Sequence, residues 1–332
     1  MYSGTTIRRG SGKIIGTHQK IDRVARRKLQ QYLPRVSVDS DSKLALESVA
    51  LPRKILNKID PRNKSDDDEP VQNYDVEPSR RKLKKAMKTS FFPTSREIVK
   101  FEGLDGPDGI KKKSPARDEP WHYINPADEN DREILDLIHS SEQSLIRALS
   151  ENNREKAAFE AAWLSHAIVD GLTPAHHYPY KEKRDELLGD RVDIKATVLK
   201  KILTSGDNWH EKLKNNYEFF KPNGRGVISA HFYFEIGVAM ITASVRFSDV
   251  KLSRADRLKV QQSGGITPLY LDIVKKIYNF GMYDEFLRTS WTPKLARLTK
   301  NELMPIIIHT VLMSWYYCAW KSNQNQTSKK RD

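Results

Sequence analysis

The sequence predicts an all-α fold, a multi-helix single domain, on three observations. After residue 120, apolar residues recur at helical spacing in one segment after another. No run of alternating polar and apolar residues rivals those segments. No internal repeat divides the chain, so one core shared by many helices is expected, and 332 residues suffice to bury a large one.

In chain order, residues 17–33 read as the first helix. Ile21, Val24, Ala25, Leu29, Tyr32 and Leu33 keep helical spacing, Thr17 suits the N-cap, and Pro34 ends the segment. His18 projects onto the face of Ile21, Ala25 and Leu29. A second helix is expected within 40–57. Composition then shifts: Asp66, Asp67, Asp68 and Glu69 are followed by Arg80, Arg81, Lys82, Lys84 and Lys85. Residues 60–88 are expected to be a disordered charged insertion. Residues 99–120 read as loop, with Gly103, Gly106, Pro107, Gly109 and Pro115. Helices are then expected at about 131–151, 154–171, 191–203, 207–219, 227–246, 265–280 and 302–320, with 321–332 a disordered tail.

The mean hydropathy of −0.66 fits a polar surface. The net charge of +14 favours an anionic partner: nucleic acid, an anionic lipid headgroup or another phosphate ester. One cysteine, Cys318, excludes both an internal disulfide and a thiolate metal site within one chain. Residues 1–9 carry no apolar core of signal-peptide length, so a cytoplasmic location is expected. Residues 304–320 are the most membrane-like stretch. They contain His309, Ser314 and two tyrosines and are short for a span, so a buried terminal helix is expected, with no transmembrane segment but peripheral membrane contact allowed.

Chemistry concentrates in the middle of the chain. Trp163-Leu-Ser-His166-Ala-Ile-Val-Asp170 sets an imidazole and a carboxylate one helical turn apart in an otherwise apolar helix. Gly171 and Pro174 stop that helix, and the turn returns His176 toward its end. His231 and Glu235 repeat the spacing in a still more apolar run. Buried imidazoles and carboxylates need partners. Oxygen and nitrogen donors without thiolates suit catalytic rather than structural zinc, and several such groups suggest a multi-metal site acting on phosphate esters. His177 is expected to support or border the site, His139 to face solvent, and His309 to lie in the core.

As a series, these residues resemble the zinc-dependent phospholipase C and single-strand nuclease superfamily, over roughly residues 14–240. In that family the ligands run helix-one His, loop Asp, His, His-x-x-x-Asp, His, then His-x-x-x-Glu or Asp. Here the order is filled by His18, Asp108, His122, His166 with Asp170, His176, and His231 with Glu235. His210 competes with His231 but lacks an acid four residues on, where Lys214 stands; Asp105 competes with Asp108. The resemblance implies an α-helical fold and two or three zinc ions. Asp170 would bridge two of them, with His166, His122 and Asp108 on one, and His176, His231 and Glu235 would hold another. Asp108 would also act as general base in hydrolysis of a phosphodiester, a phospholipid or a single-stranded nucleic acid. Glu235 matches the phospholipase branch. Members of the family are exported and use an N-terminal tryptophan as a ligand, for which this chain has no counterpart; with the basic stretch at 79–88, that departure keeps open the alternative of a metal- or nucleic-acid-binding protein without turnover.

Overall fold

The computed structural model describes residues 7–9, 12–14, 16–33, 35–36, 46–47, 91–102, 107, 123–177, 208–211, 213–214 and 227–328. Among them helices predominate. The only strands are two short antiparallel ladders: β1 (Ile7–Arg9) pairs with β2 (Gly12–Ile14), and β3 (Arg35–Val36) with β4 (Leu46–Glu47). β4 falls within 40–57, where a helix was expected. The rest of that segment, and the insertion at 60–88, lie outside the described residues.

Helix α1 (Thr17–Leu29) starts from Gly16, whose extended backbone lets its carbonyl accept the Lys20 amide at 3.0 Å. Thr17 is thus the first helical residue rather than a side-chain cap. The short helix α2 (Ser95–Ile98) carries a full capping box between Thr94 and Glu97. Arg26 of α1 is buried and satisfies loop carbonyls before α2, those of Pro93 and, at 3.1 Å, Phe92. Helices α3 (Glu133–Ser150) and α4 (Arg154–Gly171) pack along one another through the tight turn 151–153. Asn152 takes the left-handed conformation there, and the Asn153 side chain caps α4 by accepting from Lys156.

α4 is the axis of the core. It is apolar nearly all round and is wrapped by neighbours, as such a helix must be. Its alanines let partners reach its backbone: Trp315 Nε1 donates to the Ala161 carbonyl at 3.2 Å, and Tyr270 Oη donates to that of Ile168 at 2.8 Å. At its end Gly171 is required by space, because a Cβ there would meet Tyr270 Oη and Ile134.

The chain resumes with α5 (Val227–Thr242), α6 (Arg254–Gln262), α7 (Thr267–Tyr278), α8 (Met282–Thr289) and α9 (Pro293–Leu298). A π-turn (Thr299–Leu303) leads into α10 (Met304–Ser328). The sequence patterns located α5, α7 and α10 but not α6, α8 and α9, which are six to nine residues long and too short to repeat a pattern. The segment 191–203 lies outside the described residues, and of 207–219 only a few residues around Trp209 are described as helical. The stretch 321–332, expected as a disordered tail, is helical as far as Ser328. Gln326 is tied there to the Leu149 carbonyl at the end of α3.

The helical run from Pro293 to Thr327, most of it α10, is long and apolar enough to cross a membrane, but 78% of its apolar window is buried in the protein. Ile307, Ile308, Val311, Leu312 and Trp315 are fully buried against α1, α3 and α6. Each such side chain contributes about 1.5–3 kcal/mol of transfer free energy. His309, expected in the core, instead sits on the partly exposed side of α10 and pairs with Asp256 at 3.3 Å.

Candidate metal centre

Two clusters of three side chains meet near the end of α4. In the first, α1 supplies His18 and α4 supplies His166 and Asp170. His18 Nε2 lies 3.1 Å from Asp170 Oδ1, and His166 Nε2 lies 3.0 Å from Asp170 Oδ2. The two imidazoles stack with centroids 4.2 Å apart and planes 17° apart, so both edges present nitrogen to one carboxylate. In the second, His176 comes from the single 3₁₀ turn Pro174–His176, and His231 and Glu235 come from consecutive turns of α5. Both Nε2 atoms lie 3.0 Å from the same oxygen, Glu235 Oε1. Within each cluster one donor atom per residue lies within 4.8 Å of the others.

The turn that delivers His176 follows from its sequence. Thr173 folds back on the Val169 carbonyl through Oγ1 at 2.7 Å, Pro174 starts the 3₁₀ turn, and the His176 carbonyl accepts the Ile124 amide at 3.1 Å. Tyr123 stacks on the His176 ring.

The donor set fits a divalent cation. For ligands about 2.1 Å from a tetrahedral ion, neighbouring donor atoms stand about 3.4 Å apart, close to the 3.0–3.1 Å seen here. His166 Nδ1 faces Glu102 Oε2 at 3.3 Å. A proton on Nδ1 leaves the Nε2 lone pair for a cation, and Nε2 stands 3.0 Å from Asp170 Oδ2 without the geometry of a hydrogen bond. His18 Nε2, though close to Asp170, is off the line of a hydrogen bond, and His18 Nδ1 finds no hydrogen-bond partner among the described residues. Both donor sets can therefore hold a metal ion.

Electrostatics keep the ligands in their binding forms. Burial, then the charge of His166, pushes the His18 imidazole below its ordinary range. Burial takes His176 down to about 4, against the pull of Asp170. Burial alone would raise the Asp170 and Glu235 carboxyls. Both nevertheless lie well below the usual range; among the described residues, His166, His176 and His18 lower Asp170, and His231 and His176 lower Glu235. Asp170 thus responds to histidines of both clusters.

Behind the first cluster stand two buried acids that were not among the expected ligands. Glu102, just after the 3₁₀ turn Val99–Phe101, faces His166. Asp22 accepts from Ser165 Oγ at 2.5 Å. One oxygen of each, Glu102 Oε1 and Asp22 Oδ2, finds no hydrogen-bond partner among the described residues. Burial, then the charge of Glu102, raises the Asp22 carboxyl well above its ordinary value. Asp22 had a signal in the sequence: it stands four residues after His18, the same spacing as the other two pairs. Glu102 had none.

Of the eight expected ligands, His18, His166, Asp170, His176, His231 and Glu235 are brought together. Asp108 and His122 lie outside the described residues. His231 stands beside His176, whereas His210 is exposed and lies tilted against Trp209. His177 is buried and holds the Gly171 carbonyl through Nε2 at 3.0 Å, fixing the turn, and His139 is exposed. No protein-family model, curated protein or solved structure matches the chain.

Proposed function

We propose that this protein is a zinc-dependent phosphodiesterase of the phospholipase C and single-strand nuclease type. The carrying observation is the pair of adjacent His/His/carboxylate clusters, with Asp170 influenced by histidines of both. In this reading His18, His166 and Asp170 hold one ion and His176, His231 and Glu235 another, with Asp108 and His122 completing the set. A bound zinc pair would supply Lewis acidity, bringing a water toward neutral pKa and offsetting charge on the phosphoryl oxygens. The protein's own part is to hold the imidazoles neutral, to orient His166 through Glu102, and to keep Asp170 ionised between the clusters. Asp108 is assigned the role of general base.

For the substrate, Phe232 and Tyr233 favour a phospholipid. They are exposed on α5 next to His231, where an apolar chain could lie. The net charge of +14 favours the second reading, a single-stranded nucleic acid, whose binding would weaken steeply with salt. The primary test is hydrolysis of bis-p-nitrophenyl phosphate by metal-loaded wild type, chelated wild type and Asp170→Asn. Activity in the first sample alone is expected. Equal rates in all three would end the enzyme reading.

A further inference from the structure

A cavity of about 790 Å³, lined by none of the six clustered ligands, opens between the loop after α5 and helices α6, α7 and α10. Its volume is that of a small-molecule site. Five cationic side chains line it: Arg246, Lys251, Lys259, Lys276 and Lys300. They come from four separate segments of the chain, so their convergence is a product of folding. All five are exposed, and none of the four lysines forms an ion pair with an acid among the described residues. The two acids in the lining are already engaged. Asp256 accepts from the Ser253 amide at 2.8 Å and pairs with His309. Asp249 accepts from Ser248 Oγ and lies within electrostatic reach of Lys28. The cavity therefore carries an excess of positive charge, five cations against two acids, and such a field concentrates anions.

The cavity's other wall is apolar, with Phe247, Ile273, Ile306 and Met313. Two backbone irregularities shape it. Phe247 adopts φ 48°, a left-handed conformation that costs a bulky residue about 1–2 kcal/mol. It turns the Phe247 ring inward beneath Lys20 while Arg246 and Ser248 stay exposed. The π-turn Thr299–Leu303 keeps its first and last residues buried and leaves Lys300 and Asn301 exposed on the lining. Such turns concentrate at functional positions.

We propose that this cavity binds an amphipathic organic phosphate, with its anionic head on Lys259, Lys276 and Lys300 and its apolar part on Phe247, Ile306 and Met313. The head needs the cations, and the tail meets the apolar wall. The proposal stands apart from the metal chemistry, so it is tested on the full chain with chelator present. Octyl phosphate is titrated calorimetrically against wild type and Lys276→Ala/Lys300→Ala, with octyl glucoside and inorganic phosphate as probes of each half alone. Saturable binding of one octyl phosphate per chain is expected. Each half-probe should bind at least about tenfold more weakly, and the double variant should lose about tenfold or more in affinity. Co-sedimentation with phosphatidate-containing vesicles, lost in the double variant, would assign the head to a bilayer lipid; octyl phosphate binding without co-sedimentation would assign it to a soluble ligand. Either result supports the site. Unchanged octyl phosphate affinity in a double variant that melts like wild type, or octyl glucoside binding as tightly as octyl phosphate, would overturn it.

Discussion

The two candidate metal clusters each join two histidines to one carboxylate, in different surroundings. His18, His166 and Asp170 are sealed, with side-chain exposures of 0–2%, and two further acids stand behind them. His176, His231 and Glu235 are more open: the His231 side chain is 16% exposed and Glu235 10%, and exposed aromatics flank them. A sealed cluster is positioned by its neighbours and holds an ion without admitting anything else. An open one leaves room for a ligand from solvent. Under the proposed function, the contrast would give anchoring to the first cluster and substrate access to the second.

The largest effect is expected at the residue that senses both clusters. Asp170→Asn should abolish metal-dependent hydrolysis and lower metal content at both clusters, as read by elemental analysis of the dialysed protein. Its cost should exceed the roughly 10–100-fold that follows loss of an outer partner. Glu235→Gln should instead remove one ion and leave the sealed cluster loaded. Equal metal loss in the two variants would erase the distinction between the clusters.

Next in size, Glu102→Gln and Asp22→Asn should weaken metal affinity about 10–100-fold at the sealed cluster alone. Competition with a chromophoric chelator would measure it, and wild-type affinity in both variants would mean that these acids only fill space.

A fifth buried carboxylate sharpens the comparison, because it is satisfied without any ion. Glu142 accepts from the Ile266 amide at 3.1 Å and from Ser314 Oγ at 2.9 Å. Burial nevertheless raises its pKa from 4.5 to about 7. The folded state therefore binds more protons than the unfolded chain between pH 4.5 and 7, and stability should fall as pH rises through that window. The loss approaches about 3 kcal/mol for a shift of this size. Urea unfolding at pH 4.5 and pH 7 should show it, and Glu142→Gln should flatten it. An unchanged slope in the variant would place the titration elsewhere.

The smallest effect concerns the open rim. Phe232→Ala with Tyr233→Ala should lower turnover of micellar phosphatidylcholine while leaving bis-p-nitrophenyl phosphate within about twofold, since exposed side chains contribute little to stability. A matched loss on both substrates would mean that the rim supports the fold rather than the substrate.

Much of this was readable before folding because helix periodicity is local. His166 with Asp170, and His231 with Glu235, share a face through spacing alone, and Gly171 and Pro174 announce the turn that returns His176. The long helices declared themselves by repeated apolar turns, whereas α6, α8 and α9 are too short to do so. The placement of His309 depended on how α10 rotates against α6, which its own sequence does not specify.

By itself, then, the order of residues determined that imidazole and carboxylate pairs would ride on apolar helices, because spacing along one helix is set by its own geometry. Only the tertiary structure decided which of these side chains come together. The meeting of His18 with Asp170, the approach of Glu102 to His166 and the joining of His176 to Glu235 each link distant parts of the chain. Such meetings arise from the packing of whole helices, a global minimum that no local pattern encodes.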